Sequence, residues 1–307
     1  MKPNYVGMNT GIIDSDVIYR AYQRIFNNLD VSLETKIDYQ IRSTEFFLFL
    51  ENKGLHTDSL LRYKEFLDSD KRLAASTKNK KLTVARLFLK ELHRSGVVPR
   101  DVAGGVKNFK QSGLHKTNGL DDKDMRKIRA WMHDGMPVTH KRIRIYAVLM
   151  LLTYHGLREI EVCRLRYEDI DFSRGVAMVH GKGQHDKERV HLHKAVVSML
   201  QKYCAEYGIQ SGPLLFSVSN NSYGSPLTTR SLRRLVMAVF ERLEIDKTPH
   251  GCRHYYTTKL VKAYRGDLFR VMQFTRHKSL SMLQTYNDEI LHEQQYPIHD
   301  RIFAGVL

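Results

Sequence analysis

Two arginines, a lysine, two histidines and a tyrosine between positions 158 and 286 could transfer a phosphoryl group without a bound metal. Arg158 stands in the run His155-Gly156-Leu157-Arg158-Glu159, and Lys182 lies between Gly181 and Gly183. His250 and Arg253 share His250-Gly251-Cys252-Arg253-His254, His277 follows Arg276, and Tyr286 follows Thr285. The planar fork of arginine can grip phosphate oxygens through paired, charge-assisted hydrogen bonds. Histidine and lysine can give and take protons near neutral pH. A tyrosine can be the nucleophile and store the bond energy as a covalent phosphotyrosine.

The order and spacing narrow this further. Lys182 follows Arg158 by 24 residues, Arg253 follows His250 by 3, His277 follows Arg253 by 24, and Tyr286 follows His277 by 9. Each short motif is weak alone. Together they resemble the catalytic signature of the tyrosine recombinases, the phage-integrase family, nearest to its simple, Xer-like members. The resemblance runs from about residue 15 to residue 300.

It implies that Tyr286 attacks a DNA phosphodiester in line, giving a 3′-phosphotyrosine and a free 5′-hydroxyl. Arg158 and Arg253 would hold the non-bridging oxygens, and Lys182 would protonate the leaving oxygen, with Lys187 as a fallback. His250 would accept the tyrosine proton and His277 would hydrogen-bond the phosphate. The implied function is site-specific recombination through a Holliday junction, with no cofactor, ATP or metal in the chemistry. A type IB topoisomerase is the alternative. A DNA-binding protein with dead catalysis is disfavoured by the intact set of six. One departure stands out: Thr275-Arg276-His277 occupies the place of the usual Leu-Gly-His, which puts the local turn in question. His254 is expected to face elsewhere, Tyr255 and Tyr256 to pack, and Glu161 to anchor nearby cations.

The elements that carry these residues are predominantly helical. The chain of 307 residues exceeds what one core usually serves, so two domains are expected. Lys plus Arg outnumber Asp plus Glu by 49 to 33, for a net charge of +16, which points to a polyanion partner, here nucleic acid. Cys163, Cys204 and Cys252 have no paired spacing, which argues against a disulfide scaffold or zinc ribbon and for small buried thiols in a reducing cytoplasm. No signal pattern and no apolar run of ~18–20 residues argues for a membrane span.

The fold class is mainly α with a small β-sheet (α+β), arranged as a two-domain clamp. The resemblance implies that residues 1–110 form a helical, SAM-like core-binding domain, 111–119 a linker, and 120–307 the catalytic domain with a C-terminal coupling tail. The first helix begins at Ser15. A second, capped by Asp30 or Ser32, buries Ile37, Ile41, Phe47, Leu48 and Leu50 and ends at Gly54. A third uses Leu60, Leu61, Phe66 and Leu67. The fourth starts at Ser76, buries Leu82, Ala85, Leu89 and Leu92, and carries Lys78, Lys80, Lys81, Arg86 and Lys90 toward DNA. The stretch Pro99–Gly119 reads as a flexible basic strap.

In the second domain, helices are expected over Asp121–His133, around Ile143, Ala147, Leu151 and Tyr154, and from Arg158. A hairpin over 174–193 holds Lys182 in its turn. A helix over Lys194–Tyr207 and a loop over 208–227 follow. Thr228 then caps a helix whose Arg230, Arg233 and Arg234 are candidate DNA contacts. His250 opens another helix behind Pro249. The partner that the resemblance implies is double-stranded DNA with paired inverted half-sites. The protein is expected to be a monomer when free and a homotetramer on synapsed DNA, with residues 288–307 docking on a neighbour.

Overall fold

The computed structural model describes residues 19–20, 29–98, 100–110, 119–135, 139–181, 186–284, 286 and 301–302. Contacts divide the chain into two compact units, Met1–Leu114 and His115–Leu307. The expected Ser15 helix and the tail after Tyr286 lie almost wholly outside the described residues.

The first unit packs α1 (Leu33–Lys53), α2 (Ser59–Ser69) and α3 (Ala75–Arg94) around one core. The Ser32 side chain caps α1 by accepting from Thr35 N at 3.3 Å, and Gly54 ends it with φ +73°. The buried face of α1 differs from the expected one. Ile37, Ile41 and Leu48 are 46%, 69% and 50% exposed, while Ser43, Phe46 and Leu50 are buried. The aromatic residue sets the phase: Phe46 packs at 4.6 Å on Tyr63 and edge-on at 6.2 Å against Phe88. In α2 the buried residues are Leu60, Tyr63 and Leu67, with Leu61 and Phe66 half-exposed.

The strap is also not loose where it is described. Val98, Val102 and Ala103 are buried in the first core, and Val106 and Phe109 pack against it. Asn79 on α3 hydrogen-bonds the backbone of Phe109 in both directions, donating to its carbonyl at 3.0 Å and accepting from its N–H at 2.8 Å. Arg86 donates to the Val106 carbonyl at 2.9 Å.

The second unit is built on α5 (His140–His155), buried almost all round from Tyr146 to Thr153. Such a helix must be central. Only Tyr154, expected inside, stands 39% exposed. Before it runs α4 (Asp122–Met132), closed by a capping box between Asp121 and Asp124. After it come the short α6 (Glu159–Arg164) and a three-stranded antiparallel sheet of β1 (Ile170–Asp171), β2 (Val176–His180) and β3 (Lys187–His191), in order β1-β2-β3. The hairpin was expected; the two-residue β1 was not. Helices α7 (Lys194–Tyr207), α8 (Thr229–Arg242), α9 (His250–Ala263) and α10 (Leu268–Thr275) complete the unit. Cys163, Cys204 and Cys252 are free and buried. Among the described residues, no helix is long and apolar enough to cross a membrane.

Asn79→Ala should release residues 106–110 from α3. With two part-buried backbone groups unpaired, we expect about 1–3 kcal/mol of destabilisation in urea unfolding and faster proteolysis within 100–110. Unchanged protection of that segment would show that its apolar contacts hold it alone.

Candidate active site

Arg158 is placed by a glycine. Helix α5 ends at Gly156, whose φ of +55° is left-handed, and the chain turns so that Arg158 becomes the N-cap of α6. A Cβ at position 156 would sit under 3.0 Å from the ring of Tyr256 on α9, so only glycine lets the two helices approach this closely. Glu161, one turn later and wholly buried, accepts from the Arg158 backbone N–H at 2.9 Å and from its Nη1 at 2.6 Å.

The same carboxylate accepts from Arg276 Nη2 at 2.8 Å. Arg276 occupies the position where the expected pattern has glycine, and its φ is +55°. The turn is therefore kept, in left-handed backbone, with a guanidinium added that reaches back to α6. Burial pushes the Glu161 carboxyl up, but Arg276 and the hydrogen bonds from Arg158 outweigh it and hold the carboxyl below the usual range.

Arg253 lies on α9, 3% exposed. Its Nη1 donates to the Gly156 carbonyl at 2.6 Å, and its Nη2 donates to the Thr275 carbonyl and lies 3.4 Å from His277 Nε2. Burial first, then the charge of Arg158, bring Arg253 down to about 10, still cationic at neutral pH. Arg158 Nη2 reaches the next carbonyl, that of Arg276, at 3.5 Å. Both arginines thus end on successive carbonyls of the turn that carries His277.

Since arginine can only donate, His277 accepts at Nε2, so its proton is on Nδ1, which donates to Thr275 Oγ1 at 2.7 Å. Burial and then Arg253 hold His277 down at about 3, so the ring is neutral at pH 7.

Tyr286 is 8% exposed among Val261, Val271 and Leu283. Burial raises its phenol to about 12, against the pull of Arg253. Its ring lies 6.4 Å from that of His277. Its hydroxyl lies 2.6 Å from Nδ1 of His254, a residue expected to face elsewhere. The signal that could have found His254 is its place on α9, next to Arg253 and one turn after His250.

His250 opens instead onto a concavity of about 470 Å³ shared with Arg158, Glu159, Arg230 and Arg233. Arg233 pairs with Glu159 at 2.9 Å and so ties α8 to α6 beside Arg158. Arg230 and Arg234 are exposed. Lys182 lies outside the described residues; Lys187, its fallback, is ion-paired with Asp169.

The cations expected on the outer face of α3 divide. Lys80 and Lys90 are exposed. Lys78 is only 6% exposed, bonded to the carboxylate of Asp68 at 3.1 Å and set 5.3 Å over the Phe109 ring. Lys81 is paired with Glu45, and Arg86 holds the strap. Among the described residues, no cluster of three or more His, Cys, Asp or Glu side chains could hold a metal ion.

The chain is similar to several known proteins. Residues 118–292 match the phage integrase family. Tyrosine recombinase XerC of Lactobacillus delbrueckii subsp. bulgaricus is 27% identical over 229 residues, spanning 72% of this chain and 74% of the relative. XerC of Oceanobacillus iheyensis is 29% identical over 272 residues, spanning 81% and 84%. Among solved structures, the site-specific recombinase XerH bound to its palindromic difH substrate, in a post-cleavage complex, superposes with a TM-score of 0.73 at 17% identity. That alignment covers 92% of this chain and 84% of XerH. The chain belongs to the phage integrase family and is a tyrosine-type site-specific recombinase of the Xer-like kind. Its activity is site-specific DNA recombination by tyrosine-based cleavage.

Glu161→Ala should leave two guanidiniums, those of Arg158 and Arg276, without their shared buried counter-ion. Removing one partner of a buried pair costs about 3–5 kcal/mol, readable as a lower urea midpoint. The folded-state pKa of Glu161 is depressed, so its contribution is present above the ordinary carboxylate range and lost as pH falls through the lowered value. The gap between variant and parent should therefore shrink in acid. A gap that grows in acid would contradict the assignment.

Proposed function

We propose that Tyr286 attacks the scissile phosphodiester to give a 3′-phosphotyrosine and a free 5′-hydroxyl. Strand exchange then runs through a Holliday junction. The covalent link keeps the energy of the broken bond, so resealing to a new strand needs neither ATP nor a metal. The observation that carries the reading is the convergence of Arg158, Arg253 and His277 on one turn, with the Tyr286 ring 6.4 Å from His277.

In this reading the phosphate replaces the carbonyls that now satisfy the arginines. Arg158 and Arg253 turn to its non-bridging oxygens, where charge builds in the transition state. Released by Arg253, His277 can carry its proton on Nε2 and donate it to the phosphate. Lys182 protonates the leaving 5′-oxygen, and the pairing of Lys187 with Asp169 favours Lys182 over its fallback. A histidine takes the tyrosine proton; the resemblance gives that proton to His250.

Both units bind DNA carrying two inverted half-sites, and four protomers assemble on the synapsed duplexes. Residues 288–307 dock on a neighbour's catalytic unit. A groove of about 820 Å³ between α4, α5 and α7, with Met125, Ile128, Tyr146 and Met199 in its wall, is an apolar receptor suited to such a tail.

The test is covalent trapping on a nicked duplex drawn from the DNA flanking the gene. Tyr286→Phe should bind this DNA but form no adduct; an undiminished adduct would remove Tyr286 as nucleophile. Lys182→Ala should cleave an ordinary phosphodiester about 10²–10⁴-fold more slowly and recover on a 5′-bridging phosphorothiolate, whose sulfur leaves without a proton. Equal loss on both substrates would move the general acid elsewhere.

A further inference from the structure

One histidine lies within hydrogen-bond distance of the Tyr286 hydroxyl. Tyr286 Oη and His254 Nδ1 are 2.6 Å apart, at the short end for a hydroxyl on nitrogen. The two rings lie 5.3 Å apart, tilted by 37°. A neutral phenol donates to an imidazole lone pair, so Nδ1 is the acceptor and the His254 proton sits on Nε2.

The surroundings hold this pair. On α9, Arg253 is directed to the turn that carries His277, and the next residue, His254, comes round to the Tyr286 side. Backbone at 119–120 braces the helix there: Leu120 N–H donates to the Gly251 carbonyl at 3.1 Å, and a Cβ on Gly119 would lie 3.1 Å from Cβ of His254. His250 meets His254 edge-on, with centroids 4.8 Å apart, but opens onto the separate concavity shared with Arg158 and Arg233. Tyr286 and His254 share another, of about 380 Å³, with Asp121, Asp122, Lys247, Lys259 and Lys262 in its wall. The two histidines therefore face two different spaces, and of the two only that of His254 has Tyr286 in its wall.

We propose that His254, rather than His250, is the catalytic base that takes the proton from Tyr286. This rests on Tyr286 being the nucleophile. As Oη attacks, the Oη–H bond breaks, its proton passes to Nδ1, and the Oη–P bond forms. The bond from phosphorus to the 5′-oxygen breaks, and that oxygen takes a different proton, from Lys182 in the reading above. In resealing, the 5′-hydroxyl gives its proton back to Lys182 as it attacks phosphorus, the Oη–P bond breaks, and the imidazolium returns its proton to Oη. The imidazolium forms beside Arg253, so its charge must be offset by the bound phosphate. The base therefore works only once DNA is in place. His250, beside Arg158, is left to hydrogen-bond the phosphate.

The experiment is single-turnover cleavage of the nicked duplex from the gene's flanks. The full chain is compared with His254→Ala, His254→Asn, His250→Ala and Tyr286→Phe, with DNA affinity measured for each. Asparagine can place an acceptor oxygen near the position of Nδ1 but cannot take a proton. Both His254 variants should bind like the parent and cleave about 10²–10⁴-fold more slowly. The phosphorothiolate should not restore either. Added imidazole should restore His254→Ala in a saturable way, increasingly as pH rises and imidazole becomes neutral, and should not restore His250→Ala. Cleavage by either His254 variant within about threefold of the parent, or faster than it, overturns the proposal. So does imidazole rescue confined to His250→Ala. If Tyr286→Phe still forms an adduct, the nucleophile assignment itself fails, whatever the histidine variants do.

Discussion

The site depends on one buried carboxylate. Arg158, Arg253 and Arg276 all end on or beside the 275–276 turn, and like charges about 4 Å apart repel by about 4 kcal/mol at an effective dielectric of 20. Glu161, with no exposed surface, accepts from two of these three, and the carbonyls of Gly156, Thr275 and Arg276 occupy other donors. Glu188 adds a second carboxylate 3.6 Å from Arg276 Nε, and two negative charges against three positive ones still leave the cluster cationic. A phosphodiester supplies part of the missing charge, and the pentacoordinate transition state supplies more. A cluster left under-neutralised in this way favours the transition state over the ground state, which is the condition for catalysis rather than mere binding.

The local backbone follows from this need for close approach. Gly156 lets α5 end against Tyr256, so that its carbonyl meets Arg253. Arg276 takes a left-handed conformation that costs a residue with a Cβ roughly 1–2 kcal/mol, and its buried bond to Glu161 offsets that strain. The departure from Leu-Gly-His thus keeps the turn and changes its electrostatics. A glycine there would relax the backbone but leave Glu161 with Arg158 as its one arginine partner.

What the sequence made legible was whatever local chemistry decides. Ser32, Gly54, Asp121 and Thr228 mark helix ends through hydrogen bonds made within a few residues, and the Gly181-Lys182-Gly183 hairpin is a short-range signal. The phase of a helix is not local. Ile37, Ile41 and Leu48 have the spacing of a core face, but the aromatic cluster of Phe46, Tyr63 and Phe88 turns α1 the other way. His254 was missed for the same reason. Its contact joins residues 32 apart, and only the packing of α9 beside Val271 and Leu283 brings them together. Glu161 was read correctly as an anchor of cations because its partner Arg158 is three residues away; its second partner, 115 residues away, was not visible.

Phase also decides what a run of charge means. Lys78, Leu82, Ala85, Leu89 and Leu92 follow a helical period, so Lys78 lies on the core stripe of α3, and its amine reaches the end of α2 at Asp68. Lys81 and Arg86 flank that stripe and are spent on Glu45 and on the strap. Arg233 is spent in docking α8 on Glu159. A net charge of +16 therefore does not translate into a proportionate DNA-facing surface. On these two helices, the exposed members of the set are Lys80 and Lys90 on α3 and Arg230, Arg233 and Arg234 on α8, with Arg233 ion-paired to Glu159. Counter-ions screen groups of that kind, within a Debye length of about 8 Å at physiological ionic strength. Arg253 and Arg276 are buried beyond their reach. Salt should act on the affinity of the recombinase for DNA through the exposed set, while the field at the scissile phosphate is set by Glu161 and the buried arginines and changes little.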